Sequence, residues 1–149
     1  MLSIFMTLHL LAALIWVGGM FFAHMALRPV AASLLEPPQR LPLLHGVLGR
    51  FFPWVWGCVL SILGSGLWLF IGPFGARGGL YIHAMMGLGL LMALIFFFIY
   101  FYPYRRMGAA LAAGRIPVAG DQMALIRRLI GFNLLLGLLT TLLAGLKIA

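Results

Sequence analysis

The chain has 149 residues, of which 64% are hydrophobic and 8% charged, with a mean hydropathy of +1.15 and a net charge of +8. A water-soluble domain of this length needs far more charge to solvate its surface, so the composition excludes that class and predicts a membrane protein. The positive charge is neither spread over a face nor interleaved with aromatics as a nucleic-acid groove requires, which excludes nucleic acid as a partner.

A hydrocarbon core of about 30 Å takes about 20 apolar residues per helical crossing. Four stretches carry no Asp, Glu, Lys or Arg: Leu2 to Leu27, Phe51 to Ile71, Leu80 to Phe101 and Leu129 to Leu146. They predict an all-α integral membrane four-helix bundle, a single domain over residues 1–149 with helices near 2–27, 42–71, 80–101 and 122–146. The first stretch is too long for a signal-peptide core and lacks a basic leader, so it reads as a retained helix. The connection after it, Arg28 to Arg50, holds Pro29, Pro37, Pro38, Pro42 and Glu36. Pro42 is suited to the first position of the second helix, and Pro53 predicts a kink just inside the membrane. The second connection, GPFGARGG from Gly72 to Gly79, is a tight turn that makes the second and third helices antiparallel neighbours. The third, Tyr102 to Arg128, contains MGAALAAGR, which predicts a short helix on the cytoplasmic surface. It is followed by a break, IPVAGDQ, in which Asp121 caps the fourth helix.

Eight of the ten basic residues lie in or beside the first and third connections, while Arg77 and Lys147 stand on the opposite side. By the positive-inside rule both termini then face the outer, periplasmic side of a bacterial inner membrane. Anionic lipid headgroups suffice as partners for the arginines. Cys58, the single cysteine, falls mid-helix and forms no internal disulfide. Small residues line stripes on two helices, Gly57, Ser61 and Gly64 on the second and Asn133, Gly137, Thr140 and Ala144 on the fourth. Such stripes serve helix contacts or leave room for a flat cofactor.

The chemistry rests on four histidines. Glu36 and Asp121, the only carboxylates, fall in connections, so paired-carboxylate catalysis and a Ser/His/Asp arrangement within the membrane are excluded. No phosphate loop or zinc spacing is present, which leaves ligation by imidazole and thioether. His9 and His83 lie roughly 10 Å and roughly 5 Å below the outer helix ends. Ala13, Trp16, Met20 and Leu27 share the His9 face, and Gly87 is one turn from His83. Two imidazoles at similar depth suit the axial ligands of a b-type haem, His9 and His83, in electron transfer or a haem-dependent oxidation. A redox partner, or a quinone or porphyrin substrate, would complete that role. The alternative is a Cu(I) site of Met6, His9, His83 and Met86, since Met6 with His9 and His83 with Met86 are each three apart and offer one imidazole and one thioether. His24 and His45, near the cytoplasmic ends of the first two helices, form a second candidate pair, with Arg28, Arg50, Arg127 and Arg128 nearby for propionates or an anionic substrate. A homo-oligomer is compatible with all of these readings.

At LHLLAALIWVGGMFF (Leu8 to Phe22), LYIHAMMGLGLLMALI (Leu80 to Ile95) and GRFFPWVWGCVLSILGSGLW (Gly49 to Trp68) the chain resembles the CopD-type membrane family of copper resistance. It is more distantly similar to the HemJ-type protoporphyrinogen oxidases. The first likeness implies a copper-handling membrane protein. The second implies haem b held by a histidine near the start of helix one and another in helix three, places that His9 and His83 occupy. That family usually has a Lys two residues after the helix-three histidine, where this chain has Met85, and an Asn-Glu-x-Pro element near the C-terminus, which this chain lacks.

Overall fold

The computed structural model describes residues 2–73, 75 and 79–146. The described residues form helices α1 (Leu2–Phe22), a π-helical turn (Ala23–Leu27), α2 (Arg28–Leu34), α3 (Pro37–Ile71), α4 (Leu80–Phe101), α5 (Pro103–Ala112) and α6 (Ile116–Leu146). Runs of near-continuous helix over Leu2–Leu34, Pro37–Ile71, Leu80–Ala112 and Ile116–Leu146 are each long and apolar enough to cross a membrane. Leu10, Leu14, Trp54, Leu60, Leu94 and Leu135 are all more than 60% exposed. Apolar side chains facing outward on every crossing need lipid around them, and the chain is an integral membrane protein.

The helices are longer than the charge-free stretches because the prolines do not end them. Pro29 has no N–H and its ring crowds the carbonyl four residues back. The chain answers by widening one turn: the Arg28 N–H bonds to the Ala23 carbonyl, five residues back, and helix resumes to Leu34. α3 begins at Pro37 and Pro38 rather than at Pro42, and it runs as helix through Pro42 and Pro53. Two prolines in its first turn cost nothing there, since those N–H groups have no helical partner. Asp121 is likewise not a cap, because α6 already starts at Ile116. Of the Gly72 to Gly79 turn, Phe74, Ala76, Arg77 and Gly78 lie outside the described residues, as does Lys147.

Contacts fix the directions. Phe5 stacks on Trp68 at 4.2 Å and His9 meets Ser65, while Phe51 lies on the backbone of Gly19, so α1 and α3 run antiparallel. Phe70 meets His83 and Trp56 meets Phe97, so α3 and α4 do too. The short helix predicted within 107–115 exists as α5, which packs along α6 with Met107 fully buried. It closes in a Schellman turn, with Arg115 N–H bonded to Ala110 O and Gly114 N–H to Leu111 O. Gly114 takes φ +71°, the left-handed conformation that favours glycine at this position.

One half of the bundle is filled by aromatics. Phe52 contacts Phe96 at 5.4 Å and Tyr104 at 5.0 Å, and Trp56 contacts Phe96 at 5.2 Å. In lipid, apolar burial itself gives little drive for helices to associate, so packing of this kind carries the cohesion. Each aromatic pair contributes about 0.5–1.5 kcal/mol beyond area. At the edge of this half Asn133, 1% exposed, donates its Nδ2–H to the Met92 carbonyl at 3.3 Å and ties α6 to α4.

Candidate functional site

The other half of the bundle is open. Between α1, α3, α4 and α6 lies a cavity of about 330 Å³. Its nitrogen and sulfur donors are one imidazole and four thioethers: His9 and Met6 from α1, and Met85, Met86 and Met92 from α4. α6 contributes small residues, Gly137, Thr140 and Ala144, so the stripe read there does make room. The two threonine hydroxyls donate back to their own helix, Thr140 to Leu136 O at 2.7 Å and Thr141 to Gly137 O at 2.9 Å. Their protons are therefore spent within the helix.

On α3 the predicted stripe of Gly57, Ser61 and Gly64 does not line the cavity. Nothing lies within 4 Å of where a Cβ would sit on Gly57 or Gly64, whereas a Cβ on Gly66 would meet His9 Cε1 at 3.5 Å and Met86 Cε at 4.0 Å. The imidazole and one thioether thus converge on the bare backbone of Gly66. Beside it Ser65, 4% exposed, sets the state of the ring. The Ser65 hydroxyl has one proton, which it donates to the Ser61 carbonyl one turn back. It can then only accept from His9 Nδ1, 3.1 Å away. This places the imidazole proton on Nδ1 and leaves Nε2 with a free lone pair, the form in which histidine binds a metal.

The structure does not bring His9 and His83 together. His83 is exposed, its Nδ1–H donates to the Gly79 carbonyl at 3.3 Å, and its ring stands edge-on to Phe70, which itself lines the cavity. His83 is not among the cavity's lining residues, and the geometry gives bis-histidine haem ligation no support. Of the four residues of the copper alternative, Met6, His9 and Met86 line the cavity and His83 does not, while Met85 and Met92 join them there. Gly87 faces outward like His83, with open space beside it, and it is Gly89 that lines the cavity. His24 and His45 are also apart. The His24 ring rests on Gly131 of α6, and His45 stacks on Tyr104 of α5 at 4.6 Å. Cys58 is buried outside the cavity. Among the described residues no cluster of three or more His, Cys, Asp or Glu side chains is placed to hold a metal ion, so any soft-metal site must draw on methionine.

Met85, Met92, Ser65 and Gly66 are the site residues that sequence reasoning missed. A signal was present for each helix: Met85, Gly89 and Met92 recur at four and three, and Ser61 and Ser65 at four.

Comparison with protein families matches residues 45–147 to the family described as copper resistance protein D, CopD. No curated protein and no solved structure matches significantly, and the likeness to protoporphyrinogen oxidases finds no support in these comparisons. The family match covers more than half of the chain, including most of α3 and the whole of α4, α5 and α6. The chain therefore belongs to the copper resistance protein D family.

Proposed function

We propose that this protein handles Cu(I) within the membrane, taking the ion as cargo into the cavity between α1, α3, α4 and α6. The observation that carries the reading is the convergence of the His9 ring and the Met86 methyl on Gly66 within a cavity that also holds Met6, Met85 and Met92. Cu(I) is a soft ion that favours thioether and imidazole donors and needs no carboxylate. The donor set has no negative charge, so an ion bound there stays a monocation able to leave again, which suits passage better than storage. His9 supplies the strongest donor, through Nε2, and the methionines supply weaker, exchangeable ones. Membership of a copper-resistance family supports the same reading.

The charge asymmetry supports an orientation with both termini, and with them the cavity end of the bundle, on the outer side of a bacterial inner membrane. Cu(I) would then enter from the periplasm. A reporter fused at the C-terminus reads this orientation directly, and a cytoplasmic signal would refute it.

Copper binding is tested by chelator-competition titration of the detergent-purified protein. His9→Ala should lose most affinity, and the double variant Met6→Leu, Met86→Leu, which keeps apolarity and near-constant volume, should weaken binding by at least about tenfold. His83→Ala should leave it unchanged. Parental affinity in both His9→Ala and the methionine double variant would overturn the proposal. An absorption spectrum showing tightly bound haem in the parent would restore the haem reading instead.

A further inference from the structure

At the opposite end of the bundle a second group of side chains has no role in the copper reading. His24 in the π-helical turn, Arg28 at the start of α2 and Arg127 of α6 line one small recess, floored by Leu44, Val47 and Ile130. Arg28 lies 19 residues beyond His9 on nearly continuous helix, about 28 Å along the axis at 1.5 Å per residue. With a hydrocarbon core of about 30 Å, that puts the recess at the headgroup level of the other leaflet.

Three features set this place apart. The first is that Arg28 Nε is buried and has no hydrogen-bond partner. An unpaired buried N–H of a charged group is costly, so it calls for an acceptor. The second is that the recess holds two guanidiniums, which can only donate, and no carboxylate. Arg28 and Arg127 carry like charges that raise each other's energy, and only an anion relieves both at once. The third is the π turn, which Pro29 forces. The turn at Ala23–Leu27 holds His24 and ends on Arg28, and the His24 ring rests on the bare backbone of Gly131 of α6. Wide turns of this kind recur at binding sites. The recess has about 20 Å³ of free space, room for one oxygen atom but not for a whole oxyanion.

We infer that His24, Arg28 and Arg127 form a binding site for one phosphate group, which seats an oxygen in the recess against Arg28 Nε. The remaining oxygens stay outside, where Arg127, exposed on α6, closes on them. The apolar floor keeps water from competing and strengthens the charge-assisted bonds. Two sources present this chemistry at that depth, the headgroup of an anionic phospholipid and free phosphate.

The test uses the whole protein, delipidated in a neutral detergent and titrated with phosphatidylglycerol, phosphatidylcholine or inorganic phosphate, with binding followed by native mass spectrometry. Saturable binding of phosphatidylglycerol well above phosphatidylcholine, undisturbed by millimolar phosphate, identifies a lipid headgroup as the ligand. Displacement of the lipid by phosphate identifies the free anion as a ligand of the same site. In either case Arg28→Gln and Arg127→Gln should each weaken binding about tenfold or more. Arg28→Lys should weaken it nearly as much, because it keeps the charge but lacks the Nε–H that reaches the recess. Arg105→Gln should not, since that guanidinium lies 5.0 Å over the Phe101 ring outside the recess. If Arg28→Gln does not fold, the exposed Arg127 and the charge-conserving Arg28→Lys still decide the matter. Equal binding by Arg28→Lys, Arg127→Gln and the parent, or an equal loss with Arg105→Gln, would overturn the inference and reduce the cluster to unspecific surface charge.

Discussion

Gly66 is the position at which the copper reading is most exposed to test. A methyl group there would sit 3.5 Å from His9 Cε1 and 4.0 Å from Met86 Cε, both ordinary van der Waals separations. Gly66→Ala should therefore fold, and it removes a glycine from a helix interior, a change worth about 0.5–1 kcal/mol in favour of the helix. Its thermal midpoint should rise or stay level and its Cu(I) affinity should change little. Gly66→Leu differs in kind. Leucine is as good a helix former, and the cavity of about 330 Å³ has space for it, so the fold should again hold. But its branch must occupy the gap across which imidazole and thioether face each other, and one ion can then no longer reach both. Loss of either donor should weaken Cu(I) by more than about tenfold, or about 1.4 kcal/mol. The assay is chelator competition on parent, Gly66→Ala and Gly66→Leu, each with a thermal melt in the same detergent. Undiminished Cu(I) affinity in a well-folded Gly66→Leu protein would refute the placement of the site.

Two further outcomes follow from the geometry. Ser65→Ala removes the acceptor that holds the proton on His9 Nδ1, and loss of such an outer partner costs about 10–100-fold in metal affinity; the copper stoichiometry should stay the same, and an unchanged affinity would show that Ser65 does not set the tautomer. Gly137→Ala puts a Cβ 2.9 Å from Val17 Cγ2 and 3.2 Å from Met92 Cε, so α1 or α4 must give way at a cost of about 1–3 kcal/mol. That loss should appear as a lowered melting temperature and be partly recovered by adding Val17→Ala, and an additive double variant would count against the contact.

The number of crossings was legible because it depends on composition alone: four charge-free stretches, each long enough for a bilayer. Helix ends were not, because prolines and charges have a different meaning at a membrane boundary. Arg28 and Arg40 both stand inside helices, since a basic side chain at headgroup level ends the apolar span without ending the hydrogen-bond ladder. Pro29 carries no general signal for a break either. Whether a helix stops at a proline or widens by one residue depends on whether the flanking turns have something to pack against, and α2 packs on α3.

The site was half legible, and the half that failed shows why. His9 was found by its companions: Trp16 and Met20, on the same face, are 3% and 4% exposed, and a stripe of that composition turns inward. His83 was paired with it by depth, which follows from counting residues along the axis. Depth says nothing about facing. At about 100° per residue, His83 lies roughly 160° around α4 from Met85, which lines the cavity together with Tyr81, Ile82, Met86, Gly89 and Met92. The direction of a helix's inner face is fixed by what its neighbours present to it, here the small residues of α6 and Gly66 of α3. A single histidine in an all-apolar helix such as α4 carries no such information. The three-and-four spacing of Met85, Gly89 and Met92 does carry it, and it marks thioether rather than imidazole as the group that α4 turns toward the cavity.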